Sequence, residues 1–115
     1  SSPYAMTKHA VEALTVSMRE ELAPYGVDVI KINPGPYLTG FNDRMVDGIE
    51  PLIDPNDEPA VGAHQFLKDI MKDQADPQEI VIALADLAEA ETAPVEAFLP
   101  EGIKDMLDAV LASRD

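Results

Sequence analysis

Tyr4 and Lys8 are the two residues of this 115-residue chain best suited to acid–base chemistry. They stand four apart, and in a helix positions i and i+4 lie one above the other on the same face. An ammonium beside a phenol favours the phenolate, which lowers a tyrosine pKa from its ordinary value of about 10. Such a tyrosine could trade a proton with a substrate oxygen near neutral pH. A surface tyrosine lying along a lysine stem has the same spacing, and an isolated Y-x-x-x-K arises by chance in about one chain in five. The pair therefore gains meaning only from the elements that position it.

Those elements are a helix and a strand. Ser2 suits an N-cap and Pro3 a first helical position, where its missing N–H costs nothing. Met6, Ala10, Leu14, Met18 and Leu22 then recur at helical period, with Val11 on the same side, until Pro24 and Gly26. This predicts one helix over residues 3–23, buried along that stripe. Val27, Val29, Ile30 and Ile32 follow as a β-branched run over residues 27–33, read as a buried strand of a parallel sheet. Pro34-Gly35 stops it. Ligands of open α/β sheets bind beyond the carboxyl ends of the strands, where this loop lies.

With these elements in place, the chain resembles the C-terminal half of a short-chain dehydrogenase/reductase. YAMTK at 4–8 matches that family's catalytic Y-x-x-x-K, with the small Ala5 after the tyrosine. NPGPYLT at 33–39 matches its Asn-Pro-Gly loop, with a threonine four residues after the glycine. The resemblance implies an α/β fold, the C-terminal portion of a Rossmann-like doubly wound parallel sheet in three layers (αβα), with the N-terminal half absent. Residues 1–115 would be part of a single domain. It also implies an NAD(P)-dependent oxidoreductase moving hydride between NAD or NADP and an alcohol or carbonyl substrate. Tyr4 would be the proton donor or acceptor. Lys8 would lower its pKa and hydrogen-bond the nicotinamide ribose. Pro34, Gly35, Tyr37 and Thr39 would hold the nicotinamide, with the Tyr37 backbone and the Thr39 hydroxyl on the carboxamide. Tyr37 departs from the aliphatic residue common at its position.

The family's Gly-rich phosphate loop, its Asn-Ala-Gly strand and its catalytic serine belong upstream of the tyrosine. No G-x-x-x-G-x-G occurs, and Ser1 and Ser2 stand too near Tyr4 to be that serine. The chain is thus expected to be inactive alone and to need a missing N-terminal half. The alternative is a non-catalytic truncated chain acting as an assembly or interaction piece.

Residues 40–76 read as the longest irregular region, interrupted by Pro51, Pro55 and Pro59. Asn42-Asp43 could cap a short turn there. In the family this stretch is the substrate lid, so Phe41, Met45 and Ile49, with Leu52 and Ile53, are candidates to line a substrate pocket; anchoring the loop is the equal alternative. A helix over residues 60–72, to which His64 belongs, would carry Ala63, Phe66, Leu67 and Ile70 on its apolar side. Asp76 as N-cap and Pro77 at the first position open a further helix through about Glu91. Residues 95–99 read as a short strand ended by Pro100, and residues 101–112 as a last helix. The late helix and last strand resemble those that pair subunits in the family, which implies a homo-oligomer.

Composition bounds the rest. Twenty-two acidic against 8 basic residues give a formal charge of −14. Phosphate backbones and anionic membranes need clustered Lys and Arg, so nucleic acid and membrane surfaces are excluded as expected partners. No cysteine is present, the acidic residues do not follow a calcium-loop pattern, and His9 and His64 lack ligand spacing, so no metal site is expected. No apolar run is long enough to span a bilayer, and no signal peptide is visible; a cytoplasmic location is the default. A chain of this length buries roughly 65% of its unfolded surface, but two strands alone make a marginal sheet.

Overall fold

The computed structural model describes residues 2–113. Its first element is α1 (Ser2–Leu22), followed by a 3-10 turn at Ala23–Tyr25 and then by β1 (Lys31–Pro34). Two helices come next, α2 (Phe41–Ile49) and α3 (Glu58–Ile70), and then α4 (Pro77–Glu89), β2 (Glu96–Leu99) and α5 (Ile103–Ala112). β1 and β2 pair in parallel, Lys31 opposite Glu96 through Pro34 opposite Leu99. The architecture is α/β and helix-rich around a two-stranded parallel sheet. Among the described residues no helix is long and apolar enough to cross a membrane.

Several elements form for the reasons the sequence offers. Asp76 caps α4 by accepting the Gln78 N–H at 2.9 Å, and Pro77 occupies the first turn. Gly26, with φ at +71°, ends the turn after α1 in the left-handed region that glycine tolerates.

Other expectations are corrected. Ser2 is itself helical, so it is not the N-cap; the position before it, Ser1, lies outside the described residues. The strand begins at Lys31 rather than Val27, because the Val29 carbonyl is not available to a ladder. Arg19 takes it, with Nε at 3.3 Å and Nη2 at 3.2 Å, and Nη2 also reaches the Val95 carbonyl at 3.0 Å. β1 is half-exposed, not buried.

Residues 40–76 are not irregular either. They hold α2, a 3-10 turn at Glu50–Leu52 and α3. Pro51 and Pro59 sit in the first turns of their elements, where proline is tolerated, and so begin helices instead of breaking them. Asp57, accepting the Ala60 N–H at 3.2 Å, starts α3 earlier than expected. Its inward face carries Ala60, His64 and, as expected, Leu67 and Ile70, while Ala63 and Phe66 turn outward. His64 is buried and its Nε2 meets the Val46 carbonyl at 3.1 Å, tying α3 to α2.

The largest departure is α1. None of its residues is buried. The side nearest the sheet is the stripe Thr15, Arg19 and Leu22, whereas Met6 stays 70% exposed and Leu14 56%. The helix is held by polar clamps: Arg19 on two carbonyls, and Lys31 between Glu12 at 2.8 Å and Glu96 at 2.7 Å. A two-stranded sheet is too narrow to cover the apolar stripe as well.

These clamps titrate. The Lys31 ammonium, and then the Asn33 amide, hold the Glu96 carboxyl below the usual carboxylate range. Glu12 and then Glu96 hold the Lys31 ammonium above its usual range. A depressed carboxyl contributes stability above its unfolded pKa and loses it as pH falls through the folded value. Acidification below about pH 4.3, the ordinary glutamate value, is therefore expected to release β1 from Glu96. Amide exchange at Lys31 and Gly35, whose N–H groups donate to the Val95 and Leu99 carbonyls, corrected for intrinsic rate, should accelerate in that window in the wild type and much less in Glu96→Gln. Equal acid sensitivity in the two proteins would contradict the clamp.

Candidate active site

The loop after β1 is built by close contacts. Gly35 donates its N–H to the Leu99 carbonyl at 2.5 Å, continuing the β1–β2 ladder beyond the strands. A Cβ at Gly35 would lie 2.8 Å from Ile103 Cγ1, 3.0 Å from its Cδ1 and 3.2 Å from Pro100 Cδ. Only glycine lets the loop pass so close to the start of α5. Two residues on, Ala75 N–H donates to the Pro36 carbonyl and Leu38 N–H to the Ala75 carbonyl, each at 2.9 Å. This bridge pins Tyr37 beside the start of α4. Thr39 N–H returns to the Tyr37 carbonyl at 2.8 Å, and Gly40, with φ at +79°, turns the chain into α2.

Tyr4, Lys8, Pro34, Gly35, Tyr37 and Thr39 line one cleft of about 520 Å³, together with Phe41, Asn42 and Ile80. The six residues expected from the sequence to act on cofactor and proton thus meet in one place. Lys8 Nζ sits 5.4 Å from the centroid of the Tyr4 ring, where the ring's negative face attracts a cation. Lys31, Lys68, Lys72 and Lys104 all pair with carboxylates. Among the described residues Lys8 is the lysine without a carboxylate partner, despite the acidity of the chain.

Two groups in the loop keep free hydrogen-bonding capacity. The Tyr37 N–H finds no acceptor among the described residues. The Thr39 hydroxyl oxygen receives only a long 3.4 Å contact from the Phe41 N–H. A backbone N–H and a hydroxyl side by side suit a primary carboxamide, which offers one acceptor and two donors.

Of the expected lid residues, Phe41 reaches the cleft, whereas Met45 and Ile49 do not line it. Helix geometry explains this: at 1.5 Å per residue, Ile49 lies about 12 Å along the axis from Phe41, so only the first turn of α2 borders the cleft. Asn42 and Ile80 were missed. Asn42 follows the loop motif by three positions, and nothing in its type distinguishes it from a turn residue. Ile80 reads simply as part of the α4 apolar stripe. A second groove of about 290 Å³ adjoins the cleft, shares Pro34, Gly35 and Asn42 with it, and continues along Ile103, Met106 and Leu107.

Tyr37 is only 6% exposed, and its buried hydroxyl has no hydrogen-bond partner among the described residues. Burial first, and then the Glu79 carboxylate, push the phenol above its usual range. An orphaned buried hydroxyl costs about 1–3 kcal/mol, so Tyr37→Phe is expected to stabilise the protein by about 1 kcal/mol. A raised folded-state pKa contributes stability below the unfolded value that is lost as pH rises through the folded one. The variant should therefore also unfold less readily than wild type above about pH 10. Urea midpoints at neutral and alkaline pH measure both; a destabilised variant would show that the hydroxyl has a partner.

Comparisons with known proteins bear on this arrangement. The family model for short chain dehydrogenase matches residues 1–50. The uncharacterized oxidoreductase YusZ of Bacillus subtilis is 33% identical over 94 residues, covering 76% of this chain and 32% of that protein. The NADPH-dependent 3-dehydrocapnine reductase of Ornithobacterium rhinotracheale is 44% identical over 52 residues, 45% of this chain and 18% of that protein. Dehydrogenase/reductase SDR family member 7B of Xenopus laevis is 38% identical over 47 residues, 41% of this chain and 15% of that protein. No solved structure gives a significant match. A helix carrying a Tyr/Lys pair is set beside the loop at the carboxyl end of a parallel strand, where open α/β sheets place their ligand crevices. The chain belongs to the short-chain dehydrogenase/reductase family. It spans about a third of the length of the first of these relatives.

Proposed function

We propose that the protein carrying this chain is an NAD(P)-dependent oxidoreductase acting on an alcohol or carbonyl compound, with Tyr4 as its proton-transferring group. The observation that carries this reading is the cleft that Tyr4, Lys8, Pro34, Gly35, Tyr37 and Thr39 line together. The named activities of the relatives, oxidoreductase and NADPH-dependent reductase, agree with it.

Bound NAD or NADP supplies the hydride. The residues of this chain do the remaining work. Tyr37 N–H and the Thr39 hydroxyl hold the carboxamide and so fix which ring face is presented. Gly35 keeps the loop thin enough for that approach. In the reducing direction Tyr4 gives its hydroxyl proton to the substrate oxygen as the carbon gains hydride; in the oxidising direction it takes the proton back. The Lys8 ammonium lies over the Tyr4 ring and offers hydrogen bonds to the ribose hydroxyls.

We further infer that the domain is a three-layer doubly wound sheet of which this chain forms a part. The support is its bare surface: the Met6–Leu14 stripe of α1, the free edge of β1, and a groove of about 320 Å³ between them lined by Val11 and Ile32. Further strands laid against β1 would cover all three.

The test is turnover by the intact protein. Oxidation of NADH or NADPH in the presence of a panel of ketones and aldehydes, and reduction of NAD or NADP with the matching alcohols, is read by nicotinamide absorbance. Turnover with one member of the panel is expected; binding of neither cofactor and no turnover with any compound would remove the reading.

A further inference from the structure

Asn42 was not expected in the site, yet the structure fixes which end of its amide is free. An ionised carboxylate only accepts hydrogen bonds, whereas an amide has a donating and an accepting end. Asp43 Oδ1 lies 2.9 Å from Gln74 Nε2, so Gln74 must donate there. That turns the Gln74 carbonyl oxygen the other way, where Asn42 Nδ2 donates to it at 3.0 Å. Each amide in this chain of contacts has one orientation, set by the carboxylate at its end. The consequence is that Asn42 keeps its Oδ1 as the free end. No donor among the described residues reaches that oxygen, and Asn42 lines both the main cleft and the groove beside it.

The neighbourhood gives the acceptor its significance. The cleft that Asn42 lines pairs the polar side chains of Tyr4, Lys8, Tyr37 and Thr39 with Pro34, Gly35, Phe41 and Ile80, which have no side-chain hydrogen-bonding group. An acceptor of fixed direction in a cleft discriminates between ligands, because one without a matching donor desolvates it and returns nothing. The relay stands on α2 and the segment before α4, so it is tied to the same bridge that pins Tyr37.

We propose that Asn42 selects the substrate, accepting a hydrogen bond from an O–H or N–H group that the substrate carries in addition to its reacting carbonyl, with Asp43 and Gln74 as positioning residues. The substrate class is a hydroxy- or amido-carbonyl compound instead of a simple ketone. This rests on the oxidoreductase reading above and deepens it.

The experiment uses the intact protein with reduced cofactor, a medium-chain methyl ketone, and a set of its hydroxyketones differing in hydroxyl position. In the wild type one hydroxyketone should exceed the parent ketone about tenfold in kcat/KM. Asn42→Leu should bring that ratio close to one. Asn42→Asp keeps an acceptor but loses the Nδ2 donation to the Gln74 carbonyl, so it should retain only part of the ratio. Asp43→Asn conserves volume but lets Gln74 turn over, so the ratio should fall about threefold; a role in folding alone would move both ketones together and leave the ratio intact. Equilibrium affinity for the corresponding diol and simple alcohol, by calorimetry, should follow the same order. A wild-type ratio near one for every hydroxyketone, or a ratio unmoved by Asn42→Leu, overturns the assignment while leaving the oxidoreductase reading in place. Loss of cofactor affinity in Asn42→Leu with an unchanged ratio also overturns it, since Asn42 would then serve the nicotinamide. Turnover of none of these ketones, nor of any compound in the wider panel, overturns both.

Discussion

Tyr4→Phe is expected to lower turnover of the intact protein by about 10³-fold, the middle of the range for losing a general acid. Phenylalanine keeps the ring that lies under Lys8 Nζ at 5.4 Å and removes only the hydroxyl. Affinity for the dinucleotide should therefore change by less than about threefold, because a ring without its hydroxyl still fills the same wall of the cleft. Stopped-flow measurement of the hydride step, with cofactor affinity measured separately by fluorescence, distinguishes the two. Lys8→Met should differ in kind: it removes the cation over the Tyr4 ring that is proposed to meet the ribose, so turnover and cofactor affinity should fall together. A Tyr4→Phe protein with wild-type turnover would take the proton-transfer role away from Tyr4.

Gly35→Val is expected to be the most damaging change to the fold near the site. Even a single Cβ meets Ile103 Cγ1 at 2.8 Å, and Ile103 is itself buried at 8% exposure, so it has little room to turn aside. Overpacking of this kind costs about 1–3 kcal/mol, and the branched valine should reach the upper end. The strain also pushes the loop off the Leu99 carbonyl that the Gly35 N–H occupies, so cofactor affinity should fall with stability. Gly35→Ala should cost less. Pairing Gly35→Ala with Ile103→Ala should cost less than the sum of the two single changes, since the cavity left by one accommodates the methyl of the other. Strict additivity in urea midpoints would mean that the contact is not the source of the strain.

The meeting of Tyr4, Lys8 and the loop after β1 was clearer in the sequence than the packing around them. Tyr4, Lys8 and the 34–39 loop were legible because each depends on local rules: a four-residue helical offset, and a Pro-Gly break at a strand end. Asp76 and Pro77 likewise announced α4. The burial of α1 was not legible. Its apolar stripe through Met6, Ala10, Leu14 and Met18 is real as a pattern, but a pattern says only that a partner is wanted. The described sheet instead meets the Thr15–Arg19–Leu22 side, through the Arg19 guanidinium. The start of β1 was hidden for a related reason, since a side chain ten residues upstream takes the Val29 carbonyl.

Residues 40–76 misled because prolines were read as breaks, whereas Pro59 stands in the first turn of α3, where its missing N–H goes unnoticed. Asn42 was invisible from sequence because its role depends on Gln74, thirty-two positions away. His64 was placed on the correct helix, but the Val46 carbonyl that holds it comes from α2 and could not be read from spacing.

A crystal structure of the intact protein with its nicotinamide cofactor bound examines the central claim most directly. The expected result is the carboxamide on the Tyr37 N–H and the Thr39 hydroxyl at about 2.7–3.2 Å, with Lys8 Nζ on the ribose and the Tyr4 hydroxyl facing the nicotinamide ring. A ring seated away from residues 34–39, or a Tyr4 hydroxyl turned out of the cleft, would contradict it.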